Sequence, residues 1–198
     1  MYYAVSTFGS QTSVIGLASS PTLDSSNASY AWRDDGLVTA SNATLDYNAI
    51  DPSLMVDADG KQWLTLGSFW SGLKILAINA TTGLPAAGAA PIALATRTDA
   101  GGAIEASFAV YQPSSRAYFL FSSWDKCCDG NASTYNVRVG RASTPAGPYV
   151  DKAGVPLTAG GGTYLVGHRL NGWAAGGGQS ILRSGPGGAV NTHMIVHA

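Results

Sequence analysis

Two stretches of the sequence decide the fold prediction, N-A-I-D-P-S at residues 48–53 and I-E-A-S at residues 104–107. Each precedes an aromatic, strand-like run, W-L-T-L-G-S-F-W in the first case and Y-F-L-F-S-S-W in the second. In both copies an acidic residue lies two positions before a serine, and Asp51 and Glu105 are 54 residues apart. We therefore expect them at equivalent positions of two structural repeats, an arrangement that builds a site from paired acids.

Further copies of the same pattern predict the architecture. Tyr2–Phe8 matches the two aromatic runs, and Gly178–Leu182 followed by Met194–Ala198 matches them again. Gly16 and Gly140, in the runs that follow the aromatic strands, lie 124 residues apart, which is two periods of about 62. Long repeats with several short strands are typical of a β-propeller, whose small sheets stack around an axis. A β-sandwich also has many short strands, but it does not predict acids in register.

Composition favours one all-β domain and excludes two classes of partner. The chain has 198 residues, with 12 acidic and 11 basic side chains, a net charge of -1 and aromatics at 10%. A balanced charge gives no electrostatic footprint for nucleic acid. No apolar run approaches the roughly 20 residues that a membrane-spanning helix needs. We expect neither nucleic acid nor membrane as a partner.

The start of the chain predicts an incomplete domain. Met1–Ser6 resembles the middle of a strand, and the position equivalent to Asp51 in the first repeat falls about ten residues before Met1. We therefore expect residues 1–198 to form a partial propeller, truncated at both ends, with about three and a half blades.

Four short motifs favour a secreted protein. Asn-x-Ser/Thr acceptor sequences occur at Asn27, Asn42, Asn79 and Asn131, more often than chance predicts. Met1–Ser6 lacks the basic start and apolar stretch of a signal peptide. We predict an extracellular protein whose chain as given carries no signal peptide.

The only cysteines, Cys127 and Cys128, are adjacent. They form either a vicinal disulfide or two free thiols, and the sequence does not decide between the two. The pair is a poor zinc site because no further ligands lie nearby.

The paired acids carry the candidate chemistry. In a propeller, the residues that begin the innermost strands converge at one mouth of the central channel, where we place Asp51 and Glu105. Two carboxyl groups in different environments divide acid and base roles, as glycoside cleavage requires. The alternatives are a turn-forming aspartate before Pro52 and a solvated strand-end glutamate.

Aromatic and polar side chains near the acids are typical of a sugar-binding cleft. Phe69, Trp70 and Trp124 end the strands that follow the acids. Aromatic rings pack against the apolar face of a sugar, while Asn48 and Ser68 are expected to bond its hydroxyl groups. The alternative for the aromatic residues is packing between blades.

The motifs resemble a known family. N-A-I-D-P-S, W-L-T-L-G-S-F-W-S-G-L, I-E-A-S, S-S-W-D-K-C-C-D-G, S-T-Y-N-V-R-V-G-R-A-S and G-P-Y-V-D-K are similar to arabinanases of glycoside hydrolase family 43. The resemblance runs in order from Tyr2 to about His197. It implies a five-bladed β-propeller that cleaves internal α-1,5-linked bonds of arabinan, a pectin side chain, with inversion of configuration.

The resemblance also implies a role for each acid. Glu105 matches the general acid that protonates the leaving oxygen, and Asp51 matches the acid that raises the general acid's pKa and orients it. The family's general base is an aspartate in the first blade, before the strand that matches Tyr2–Phe8. We expect that base to be absent from this chain and the chain alone to be inactive.

One departure from the family concerns a metal ion. Many members carry a fourth-blade histidine that helps hold a calcium ion in the channel, whereas this chain has Gly177–Ser180 there. His168 is the candidate substitute ligand for a structural calcium, and no cofactor is required for the chemistry.

Two other functions remain open at the level of sequence. One is a non-catalytic carbohydrate-binding propeller, and the other is an exo-acting α-L-arabinofuranosidase or β-xylosidase of the same family. In each case we expect a monomer whose partner is a polysaccharide.

Overall fold

A computed structural model describes residues 1–167, 169, 172–184 and 191–197. Within those ranges the chain forms thirteen strands and four short 3-10 turns, so the all-β prediction is confirmed. The strands are β1 Tyr2–Ser6, β2 Ser13–Ser19, β3 Arg33–Ser41, β4 Ser53–Val56, β5 Gln62–Leu66, β6 Leu73–Ile78, β7 Ile92–Ala95, β8 Ile104–Gln112, β9 Ala117–Trp124, β10 Asn136–Ala142, β11 Thr163–Val166, β12 Gly177–Ser184 and β13 Asn191–His197. In the described part of the chain, no helix is long and apolar enough to cross a membrane.

The strands form four antiparallel sheets in chain order. The first sheet contains β1–β3, the second β4–β7, the third β8–β11 and the fourth β12–β13. Each strand pairs with the next one along the chain, as short turns between antiparallel strands allow. The first strands of consecutive sheets lie beside one another, since β4 contacts β8 and β8 contacts β12. Sheets that radiate in this way from a row of inner strands are the blades of a β-propeller.

The apolar core lies between neighbouring sheets. One cluster joins the first and second sheets and includes Ile15, Leu64 and Leu66, all fully buried. A second cluster joins the second and third sheets and includes Ile75 and Leu120. Side chains alternate between the two faces of a strand, so each sheet contributes to the core on both sides. A single blade has no core of its own, and its stability depends on its neighbours.

The repeated glycines provide room for neighbouring side chains. Gly16 lies on β2, and a Cβ atom there would sit 2.4 Å from the Tyr3 ring. Gly140 lies on β10, and its Cβ would sit 2.4 Å from Leu157 Cδ1. Both distances are far shorter than real Cβ contacts, so each glycine leaves room for one neighbouring side chain.

The inner strands share an irregular start, which shifts the register of the acids. Asp51, Ala106 and Gly178 have left-handed backbones, with φ of 55°, 51° and 59°. Ala106 is the first of two bulge residues that follow the pair Glu105↔Ser123, and Gly178 begins the same bulge in β12. Asp51 is thus structurally equivalent to Ala106, and Glu105 lies one position earlier. The expectation of equivalent positions is wrong by one residue, because partner-strand pairing places the bulge independently of the acid.

The close contact at Gly140 predicts a loss of stability in Gly140→Ala. Leu157 is 2% exposed and has little room to move, so the added methyl should lower the free energy of unfolding by about 1–3 kcal/mol. Gly16→Ala is the matched control, because the half-buried Tyr3 ring can turn towards solvent. Urea denaturation measures both losses. An equal loss in the two variants would contradict this account.

Candidate active site

Glu105 stands at the start of β8 with both carboxyl oxygens hydrogen-bonded. Oε2 accepts a bond from Ser68 Oγ at 2.9 Å, and Oε1 accepts one from the Tyr135 hydroxyl at 2.6 Å. The Phe69 N–H donates to the Ile104 carbonyl at 2.9 Å, which ties the turn after β5 to the strand that carries Glu105. Three segments of the chain therefore fix the position of this half-buried carboxyl group.

Asp51 is linked to Glu105 through one peptide group. Its Oδ2 accepts a hydrogen bond, 3.1 Å long, from the Ala106 N–H. That N–H belongs to the peptide bond that joins Glu105 to Ala106. A movement of the Glu105 backbone would therefore break the bond to Asp51, so the two acids are positioned as a unit.

Burial changes the proton affinity of the groups at this site. It raises the pKa of Asp51 to about 6; the Ala106 N–H opposes this change and the charge of Glu105 adds to it. Burial also raises the pKa of Tyr135 well above its usual range, and the neighbouring Glu105 contributes. Tyr135 thus remains a neutral hydroxyl at any pH at which the protein works. It therefore continues to donate its hydrogen bond to Glu105.

Two cavities meet at Glu105. The aromatic cavity, about 610 Å³, is lined on one side of the acid by Phe8, Phe69 and Trp70. The disulfide cavity, about 570 Å³, contains Asp51, Tyr135, Ala174 and both cysteines. Glu105 and Cys127 line both cavities. A carboxyl group between two cavities suits a ligand that extends past it in both directions.

Phe69 and Trp70 present their rings to the aromatic cavity. They are 37% and 39% exposed, and both have left-handed backbones with φ of 54° and 44°. Two such residues in succession turn the chain sharply at the end of β5, which lifts the side chains out of the core. Both rings are thus accessible from the aromatic cavity, and their sugar-binding role stays a prediction.

Asn48 and Ser68 line the aromatic cavity, but their polar groups have protein partners. Both residues are 4% exposed. Asn48 Oδ1 accepts a hydrogen bond from Ser13 Oγ at 2.6 Å, and the Ser68 hydroxyl donates to Glu105. The sequence predicted contacts with sugar hydroxyl groups, whereas the structure shows that Ser68 first of all holds the acid.

Trp124 lies apart from both cavities. It is 4% exposed, and its indole N–H donates to Ser122 Oγ at 2.9 Å. The guanidinium groups of Arg97 and Arg138 lie 4.6 and 4.4 Å from its ring centroid. The sugar contact expected of Trp124 is therefore corrected to the alternative, packing between blades, because the ring lies in the core cluster that joins the second and third sheets and is covered by two guanidinium groups.

Sequence reasoning missed three parts of the site. Tyr135 was not singled out, because a tyrosine before a strand carries no spacing signal for an acid 30 residues away. Gln179 was noted only because it lies in the run Gly177–Ser180, where many members of the family carry a histidine. The state of Cys127 and Cys128 was left open, and the structure shows a disulfide between them at the wall of both cavities.

The described residues do not fit the expected channel metal. Among them, no group of three or more histidine, cysteine, aspartate or glutamate side chains could hold an ion. The candidate ligand His168 lies outside the described residues. The Gln179 side chain is engaged with protein atoms, its oxygen accepting from Ser123 Oγ at 2.7 Å and its nitrogen donating to the Ala106 carbonyl at 2.5 Å.

The raised pKa of Asp51 predicts a pH-dependent effect of Asp51→Asn on stability. The folded chain binds the proton more tightly than the unfolded chain, whose aspartate has a pKa near 3.8, so the free energy of unfolding falls as pH rises from about 4 to 6. Asparagine keeps an oxygen for the Ala106 N–H and carries no charge. Relative to wild type, the variant should gain up to about 3 kcal/mol at pH 8 and little at pH 4.

Urea denaturation at pH 4, 6 and 8 measures this difference. Asp59→Asn, which removes the same charge at an exposed position, is the matched control. A stability difference between Asp51→Asn and wild type that stays constant with pH would contradict the raised pKa.

Known proteins resemble this chain in sequence and in structure. An extracellular endo-α-(1→5)-L-arabinanase of Bacillus subtilis is 45% identical over 92% of this chain and 54% of its own length. An extracellular exo-α-(1→5)-L-arabinofuranosidase of Cellvibrio japonicus is 39% identical over 84% of this chain and 50% of its own. The chain thus spans about half the length of the curated relatives it matches.

A solved structure shares the fold. The α-L-arabinanase of Cellvibrio cellulosa, complexed with arabinohexaose, superposes with a TM-score of 0.88 at 33% identity over 99% of this chain and 63% of its own. The model of the family described as glycosyl hydrolases family 43 matches residues 1–197. A match over nearly every residue, with paired acids at the inner strands, shows that the chain belongs to glycoside hydrolase family 43.

Proposed function

We propose that this chain carries the general acid of an enzyme that hydrolyses internal α-1,5-L-arabinofuranosidic bonds of arabinan. The main support for this proposal is the position of Glu105, whose carboxyl group lies where the aromatic and disulfide cavities meet. A polymer that occupies both cavities passes its glycosidic oxygen over this group. Two relatives named for α-1,5-arabinan chemistry, one endo and one exo, support the substrate class.

The proposed chemistry is a single inverting displacement. Glu105 gives its proton to the glycosidic oxygen as the bond between that oxygen and the anomeric carbon breaks. A water molecule adds to the opposite face of that carbon, and its proton passes to the general base. The cycle ends with Glu105 ionised and the base protonated; before the next cleavage the base releases its proton to solvent and Glu105 takes one up.

Asp51 is proposed to support Glu105 in two ways. Above a pH of about 6 it is ionised, and it places a negative charge one peptide group away from Glu105. Through the Ala106 N–H it also fixes the backbone from which Glu105 projects. Both the position of this charge and the orientation of Glu105 depend on the hydrogen bond from the Ala106 N–H to Asp51.

The general base is proposed to be an aspartate on a strand that precedes β1 in a five-bladed propeller. In the two four-stranded sheets the inner strands are β4 and β8, and β1 matches their second strands, β5 and β9. No described residue fills the inner position of the first sheet. The greater length of the relatives supports the same proposal, with three and a half blades in this chain.

Phe69 and Trp70 are proposed to form the sugar platform. Their half-exposed rings line one cavity beside Glu105, and flat rings pack well on the C–H face of a pentose. Asn48 and Ser68 border the same cavity, where their remaining lone pairs are available to sugar hydroxyl groups.

We also propose that the protein is secreted and monomeric. Both relatives described above are named extracellular. The four acceptor asparagines predicted from sequence, Asn27, Asn42, Asn79 and Asn131, are exposed. Light scattering of the purified protein tests the oligomeric state.

The activity test compares two lengths of chain on linear arabinan. We expect no sugar release from residues 1–198, and mixed oligosaccharides from a chain lengthened by its encoded upstream sequence. In the longer chain, Glu105→Gln should lower kcat by about 10²–10⁴-fold, because proton donation is lost. Products are sized by chromatography at early times.

Each other outcome of this test points to a different function. A single short product from the start would indicate exo action. Binding of arabinan without hydrolysis by either chain would indicate a carbohydrate-binding propeller. Hydrolysis by residues 1–198 that Glu105→Gln abolishes would contradict the missing base.

Removal of one ring tests the sugar platform. Trp70→Ala should weaken the binding of arabinohexaose by about 0.5–1.5 kcal/mol, the value of a stacked aromatic contact. Trp32→Ala is the matched control, because Trp32 is 41% exposed against 39% for Trp70 and lines neither cavity. Isothermal titration calorimetry measures both, and equal affinities in the two variants would contradict the platform.

A further inference from the structure

Gln179 connects a third inner strand to the acid pair. It lies on β12, is 3% exposed and has both ends of its amide bonded. Its nitrogen donates to the Ala106 carbonyl at 2.5 Å, and its oxygen accepts from Ser123 Oγ at 2.7 Å. The Gly178 N–H in turn donates to Ser123 Oγ at 2.8 Å. The amide is therefore held in one orientation, with its N–H group directed at Ala106.

Ala106 has no local reason for its conformation. A φ of 51° is disfavoured for any residue with a Cβ atom, and the alanine methyl makes no hydrogen bond to offset this. The ladder pairs on either side place the bulge, and within it the Ala106 N–H is bonded to Asp51 and the Ala106 carbonyl to Gln179. If either bond is lost, one restraint on the left-handed conformation of Ala106 is removed.

Ser123 lies between the Gln179 side chain and the groups that hold Glu105. It is fully buried on β9, directly opposite Glu105. Its hydroxyl donates to Gln179 Oε1 and lies beside the Tyr135 hydroxyl, which donates to Glu105. A buried network in which each member is satisfied is rigid, so a change at Gln179 reaches both acids.

We propose that Gln179 is a positioning residue, which keeps the Ala106 peptide left-handed so that its N–H reaches Asp51 while Glu105 stays at the meeting point of the two cavities. Gln179 is neutral and touches neither acid directly. Its effect on them is therefore geometric. The consequence for catalysis rests on the proposed function, whereas the geometric effect does not.

The pKa of Asp51 depends on the position of the Ala106 N–H, so a titration of Asp51 detects a change in that position. The titratable groups that line the same cavity are Glu105, Tyr135 and His197. In Gln179→Leu these groups remain, but the Ala106 N–H is no longer held against the carboxylate. Loss of a donor to the charged form raises an acid's pKa, so the pKa of Asp51 should move upward from its wild-type value.

The experiment is a pH titration of the Asp51 carboxyl carbon by ¹³C NMR in the 198-residue chain. Gln179→Leu should shift the midpoint upward, and so should Gln179→Asn, a milder variant whose shorter amide no longer reaches Ala106. Ser180→Ala, at the next residue of β12, is the matched control and should leave the midpoint unchanged. An unchanged midpoint in both Gln179 variants, with the amide spectrum intact, would overturn the proposal.

A rescue variant separates positioning from a general loss of stability. Glycine adopts left-handed φ without a Cβ penalty, so Ala106→Gly in the Gln179→Leu background should move the Asp51 midpoint back towards wild type. A purely structural role for Gln179 predicts no such recovery, and that result would also refute positioning.

The readout is independent of hydrolysis. If the lengthened chain fails to cleave arabinan while the Asp51 midpoint responds to Gln179, the positioning role stands and the proposed function fails. If cleavage occurs and the Asp51 midpoint does not respond to Gln179, the proposed function stands and the positioning role fails.

Discussion

The site depends on one hydrogen bond, from the peptide N–H between Glu105 and Ala106 to the Asp51 carboxylate. It joins two blades and requires a left-handed alanine, and it acts on an acid whose burial raises its pKa to about 6. The pKa of a buried carboxyl group that has one hydrogen-bond donor depends strongly on the position of that donor. The bond therefore transmits the packing of the blades to the protonation of the acid pair.

The propeller architecture supplies this arrangement. Inner strands β4, β8 and β12 lie side by side. The left-handed residue Asp51 precedes β4, and the left-handed residues Ala106 and Gly178 interrupt the pairing of β8 and β12 near their starts. At such an interruption, peptide groups turn away from their own sheet and become available to a neighbouring blade. Ala106 uses both of its groups in this way, one towards β4 and one towards β12. Bulges next to active sites are features of the fold that redirect specific groups.

Much of the fold followed from the sequence because its signals are periodic. Aromatic strands, the spaced glycines at 16 and 140 and the apolar alternation depend on packing that recurs in each blade, so they predicted β sheets stacked side by side. The acids were found by their motif, but their register was wrong by one residue, since bulge position is set by partner-strand pairing. Trp124 was misplaced and Tyr135 missed for a related reason, because long-range contacts choose the face that a side chain presents.

The Ala106 amide proton provides the most direct measurement of the central claim. If this N–H donates to Asp51, its NMR chemical shift should titrate with a midpoint near pH 6, the pKa of the buried carboxyl group. The same titration should disappear in Asp51→Asn, while the resonance itself remains. A shift that is flat with pH, or a midpoint near 3.8 as for an ordinary aspartate, would contradict the link between the two acids.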